Sequence, residues 1–142
     1  MASAKMLNLE RVKARLRRVP QRVQVAVGTQ LAIDAEDMTE AIRRAAPVSS
    51  DLEETPGELR DSVHFYPTPD RPLSYRILAD AKDPDGNFIG PHVEHGHKAA
   101  DGSHVPRHPF FFPTYRARKK GSTRRLKAAA RKAIKAEFPE AT

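Results

Sequence analysis

Between Pro20 and Pro47 runs the pattern that most narrows what this chain can fold into. Val23, Val27, Leu31, Ala35, Met38, Ile42 and Ala45 recur three or four residues apart, while Arg22, Asp34, Asp37, Glu40, Arg43 and Arg44 fall off that line. This predicts a long amphipathic helix over 21–46, about 39 Å in length at 1.5 Å per residue, with Pro47 placed to stop it. Upstream, Leu9, Val12 and Leu16 continue a helical spacing up to Pro20. Proline removes a backbone donor, so 7–19 is either a separate short helix or the first limb of one kinked helix. Together 7–46 form a helical arm.

The remainder predicts an α+β fold. Residues 47–58 hold two Pro, a Gly, two Ser and four acids without any period, which reads as a flexible loop. In 59–96 the alternation of Leu59, Val63 and Phe65, and then of Leu73, Tyr75, Ile77 and Ala79, predicts two strands. The turn chemistry of Asp83-Pro84-Asp85-Gly86-Asn87 leads to a third over 88–93. The expectation is a small antiparallel sheet of about three strands. Residues 97–109 read as a loop, and 110–138 as a basic C-terminal helix that kinks or restarts at Gly121-Ser122-Thr123. A chain of 142 residues needs one core, so 1–142 is taken as a single domain.

Charge is distributed unevenly. Residues 1–46 carry 9 Lys/Arg against 5 Asp/Glu, residues 47–106 carry 5 against 11, and residues 107–142 carry 11 against 2. Basic ends and an acidic middle call for a complementary surface, either nucleic acid or an oppositely charged protein face. With no cysteine there are no disulfides, thiolate metal sites or cysteine nucleophiles. No run is long and apolar enough for a membrane span, and the N-terminus has no signal-peptide pattern, so a soluble cytoplasmic protein is expected.

Catalysis and cofactors find little purchase. His92, Glu94, His95 and His97 are the metal candidates, His92, His95 and His97 foremost. On an extended chain, however, His95 and His97 share one face, while His92 and Glu94 share the other, so three ligands do not converge. Asp83, Asp85 and Asn87 imitate the start of a calcium loop, but Phe88 stands where such a loop requires Gly. No phosphate-binding loop, dinucleotide fingerprint or nucleophile elbow occurs, and no carboxylate pair is singled out, so no cofactor and no enzymatic activity are expected. The basic tail, with Arg116, Arg118, Lys119, Lys120, Arg124, Arg125, Lys127 and Arg131, can meet phosphates through charge alone or meet another subunit.

Four segments in order carry a family likeness: Ala45-Ala46-Pro47-Val48 closing the long helix, Pro56-Gly57-Glu58-Leu59-Arg60-Asp61-Ser62-Val63, Pro91-His92-Val93-Glu94-His95-Gly96, and Val105-Pro106-Arg107-His108-Pro109-Phe110-Phe111-Phe112-Pro113. In this order they resemble the tail-component family of long-tailed bacteriophages and gene-transfer particles, the neck or tail-completion proteins of the head–tail connector. The resemblance implies a structural virion protein at the head–tail junction, assembled in the bacterial host cytoplasm. It implies a homo-oligomeric ring of six or twelve copies between head-completion and tail-terminator or tail-tube proteins, with packaged DNA passing through and no membrane involved. The alternatives left by the residues alone are a non-specific DNA-binding accessory protein and a metal-dependent hydrolase using the histidine cluster. Within the motifs, Gly57 and Gly96 suit positive φ, Pro109 suits the first turn of a helix, and Phe110, Phe111 or Phe112 must place a ring in the core. Leu59 completes the second motif as an apolar contact. Glu94, where buried, needs backbone N–H donors or an arginine, with Arg60 and Arg107 the candidates.

Overall fold

The computed structural model describes residues 2–48 and 57–139, with side chains described from residue 9 onward. Most of the loop expected over 47–58, namely 49–56, lies outside the described residues. The fold is mixed helix and sheet: a long N-terminal helix α1 (Ala2–Ala45), a C-terminal helix α4 (Phe111–Glu137), and two small antiparallel sheets between them. No helix among the described residues is long and apolar enough to cross a membrane.

Helix α1 runs as one helix through Pro20, which decides for a single helix over two separate segments. Pro20 cannot donate to the carbonyl four residues back. The turns on either side are nevertheless held, because Arg18 and Arg22 both reach Glu137 near the end of α4, at 2.9 and 2.8 Å. Asp34, farther along α1, meets Ser122 and Arg125, so the two helices run antiparallel. These contacts also explain why α4 passes through Gly121 without the expected break: packing on α1 outweighs the weak local propensity of Gly-Ser-Thr.

After the loop, Gly57 in the left-handed region (φ 90°) opens a single turn, α2 (Glu58–Asp61), where a strand start was expected at Leu59. Strands β1 (Val63–Pro67) and β2 (Tyr75–Ala79) form the expected hairpin, with Val63 opposite Ala79 and Phe65 opposite Ile77. Leu73, at the hairpin tip, packs so closely on Gly28 of α1 that a Cβ there would lie 3.2 Å from its Cδ2. That close approach accounts for a glycine in mid-helix.

The third strand is not formed. Residues 88–93 instead lead into a helix, α3 (Ile89–His95), and only an isolated bridge between Lys82 and Phe88 remains of the expected pairing. The reason is physical: Pro91 in a strand would forfeit a ladder bond, whereas in the first turn of a helix no donor is needed. Ile89 and Val93, four apart, then both point into the core. The turn before it forms as expected, with Asn87 N–H donating to Asp83 Oδ1 at 2.8 Å and Gly86 at positive φ. The segment expected as a loop over 97–109 contains a short hairpin, β3 (His97–Lys98) against β4 (His104–Val105).

The core gathers where these pieces meet the C-terminal half of α1. It comprises Met38, Ile42, Ala46, Leu59, Val63, Ala81, Ile89, Val93 and Phe110. Phe110 is the expected buried ring. At the other end, α4 stops opposite Arg18 and Arg22, so the first turns of α1 project beyond it.

Candidate interaction surfaces

The motif residues build two joints. At the first, Arg60 donates from Nε to the Arg43 carbonyl (3.1 Å), which also accepts the Ala46 N–H at 3.2 Å, and from Nη2 to the Ala46 carbonyl (3.2 Å), serving carbonyls at the end of α1. A guanidinium at a helix C-terminus is also favoured by the helix dipole. Arg43 returns the contact, donating to the Val63 carbonyl at 2.7 Å. Leu59 between them is fully buried.

The second joint is centred on Glu94. Its carboxylate accepts the backbone N–H groups of Phe110 (2.8 Å), Phe111 (2.9 Å) and Phe112 (3.1 Å), so a side chain from α3 caps the N-terminus of α4. Neither Arg60 nor Arg107 is the partner; the backbone donors are. Gly96 lets this happen: at φ 76°, a Cβ would lie 2.8 Å from the Val105 carbonyl oxygen and 2.9 Å from the Arg107 nitrogen. His108 N–H then donates to the Val93 carbonyl at 2.7 Å, tying the crossing chain to α3. Pro109 precedes the cap residue Phe110 and so sits just outside the helix; Pro113 is the proline in the first turn.

The histidines separate differently from expectation. Helix α3 and the turn at Gly96 stack His92 on His97, with ring centroids 5.1 Å apart, while His95 faces Phe112. The Nδ1 atoms of His92 and His97 are buried without a hydrogen-bond partner. The pair lines a cleft of about 800 Å³ together with Asp83, Asp101 and His108. No three His, Asp or Glu side chains among the described residues are grouped as a metal ion requires. Asp83 is committed to its turn: the backbone N–H of Asn87 is the main cause holding its carboxyl below the ordinary range.

The basic residues of α4 divide into two sets. Arg125 faces inward, donating from Nε to Asp34 Oδ1 at 2.8 Å, while Ser122 donates to the other oxygen at 2.7 Å and Gln30 adds a third bond. Burial pushes the Asp34 carboxyl up, but these hydrogen bonds and the Arg125 charge outweigh it and hold the carboxyl below its usual value. Arg116, Lys120, Arg124, Lys127 and Arg131, spaced four, four, three and four apart, line one exposed face, with Lys119 beside them. Arg118 is exposed off this line. Between 111 and 137 only Glu137 is acidic, and it is buried against Arg18 and Arg22, so the stripe has no acid within its own helix to neutralise it.

Asp34, Glu137 and Gly28 were not singled out from the sequence. Glu137 did carry a signal, as the one acid between 111 and 137; Asp34 carried none of its role in pairing the helices, because its partners on α4 lie 88 and 91 residues away. No protein-family model, no curated protein and no solved structure matches this chain.

Proposed function

We propose that this chain is a structural protein of a phage-type head–tail junction, a neck or tail-completion component that assembles as a ring around the DNA path. The observation that carries the reading is the uncovered stripe on the projecting end of α1: Leu9, Val12 and Leu16 are 52%, 44% and 55% exposed. Burying the exposed half of such side chains is worth about 1 kcal/mol each, a gain that another chain can supply. The motifs behind the family resemblance support it indirectly. Arg60, Glu94 and Gly96 are spent on joints inside the fold, so the residues that carry the resemblance act structurally. The test is compositional and positional. The protein should be present in purified particles in a multiple of six copies, and a label fused to it should appear at the junction of head and tail.

The stripe on α4 favours a second reading, a non-specific DNA-binding accessory protein. Particles lacking the protein, together with duplex binding by the free chain that weakens steeply with salt, would put this reading in place of the first.

A further inference from the structure

We propose that the projecting end of α1 seats in an apolar groove of a second copy, head to tail; this deepens the assembly reading above and rests on it. The stripe Leu9, Val12, Leu16 continues the line of Val19, Val23 and Ala26 with alternating steps of three and four, the spacing of a helix seam. Helix α4 runs beside the later part of α1 and stops opposite Arg18 and Arg22, leaving the first three side chains uncovered.

The receiving surface lies on the same chain. Ile77, Leu78, Gly90, Pro91, Phe111 and Phe112 line a groove of about 350 Å³ between β2, α3 and the start of α4. Leu78 and Phe112 on its walls are 41% and 46% exposed, and Gly90, without a side chain, deepens it. Because α1 and α4 are antiparallel, the start of α4 lies beside the far end of α1. From Leu16 to Ile42 is about 39 Å along the helix, so the stripe cannot fold back onto its own groove. The contact has to be between molecules.

Charge decides which surface of a second copy takes the stripe. Residues 9–22 hold Arg11, Lys13, Arg15 and Arg17, and Arg18 and Arg22 that share the one charge of Glu137, against Glu10 alone within the segment. Two such segments side by side would repel. The layer that bears the groove is the acidic one: residues 57–106 carry eight Asp/Glu against five Lys/Arg, and with Glu94 committed to the cap of α4 and Arg60 turned inward, seven acids still face four bases, Asp80 among them directly after β2. A stripe at one end and a groove at the other give a heterologous contact, which closes into a ring or runs on as a filament.

A mixing experiment on the full chain tests this. One variant carries Leu9→Gln, Val12→Gln and Leu16→Gln, which keep the helix but remove the stripe; the other carries Leu78→Asp and Phe112→Asp, which spoil the groove from its exposed walls. Circular dichroism first establishes that both fold. In sedimentation velocity the wild type should associate as its concentration rises and each variant alone should stay monomeric. A one-to-one mixture should form a species of twice the monomer mass and nothing larger, since each variant keeps one intact end. If the groove variant alone still associates, stripes pair with stripes and the proposal is wrong. A mixture that stays monomeric, or a wild type that stays monomeric at its highest soluble concentration, overturns it equally. Neither result touches the junction reading, which falls only if the protein is missing from particles.

Discussion

Glu94 links three otherwise separate pieces, because one carboxylate closes the start of α4 while its backbone belongs to α3 and its neighbour Gly96 clears the path of the chain between them. Glu94→Ala leaves three donors unmet, that of Phe110 buried and those of Phe111 and Phe112 part-buried, and should cost about 3 kcal/mol. Glu94→Gln retains one acceptor but turns an N–H₂ toward a backbone donor, so about 1–2 kcal/mol is expected. Urea denaturation followed by circular dichroism gives both values, and equal losses would contradict the capping geometry. Gly96 and Gly102 both sit at positive φ, yet a Cβ at Gly102 meets nothing within 4 Å. Gly102→Ala should therefore cost about 1–2 kcal/mol, the left-handed backbone penalty alone, and Gly96→Ala distinctly more. The comparison of melting midpoints separates collision from conformation.

Among the elements, the pairing of α1 with α4 sets one buried carboxylate from each helix against arginines of the other, Asp34 against Arg125 and Glu137 against Arg18 and Arg22. Asp34 is held below its ordinary value near 3.8, so its contribution is complete above that value in the unfolded chain. It is lost as pH falls through the lower value of the folded one. Asp34→Asn should destabilise the protein by about 1.5–3 kcal/mol near neutral pH, with the deficit closing as pH drops below 3.8. A deficit that stays constant from pH 7 to pH 2 would remove the charge from the account. How far these elements were legible follows from the same contacts. The line from Val23 to Ile42 identified α1 because that face is buried or half-buried throughout, although the exposed Ala45 gives way to the buried Ala46 at its end, and the hairpin was legible because one face of it is covered. Helix α3 was misread since Ile89 and Val93, four apart, satisfy both a strand and a helix period; Pro91 was the discriminating residue. The need of Glu94 for a partner was readable from its residue type and neighbours. The partner itself was not, for backbone N–H groups leave no mark in a sequence. Nor could the stacking of His92 on His97 be read, since it depends on the turn at Gly96 following a helix rather than a strand.

Over the whole molecule, like charges have been left facing like charges. Arg116, Lys120 and Arg124, and again Lys127, Arg131 and Lys135, repeat at intervals of four along α4, and each such pair costs about 0.2–0.5 kcal/mol in an isolated helix. The net charge of +7 adds a diffuse repulsion. Moderate salt should therefore raise the melting temperature of the free protein, because exposed repulsion is screened while the buried ion pairs of Asp34 and Glu137 are screened much less. Lys120→Gln with Arg124→Gln should raise stability at low salt and flatten that response. A polyanion would relieve the same repulsion by binding. Duplex DNA lying along the five stripe residues should show log K falling against log salt with a slope of about −4.5, from roughly 0.9 per phosphate neutralised. Changing Arg116, Arg124 and Arg131 to Gln should reduce the slope by about 2.7 with no change in sequence preference. A slope unaffected by these three changes, measured by fluorescence anisotropy across a salt series, would move the phosphate contacts away from α4 and leave its stripe to an acidic protein face.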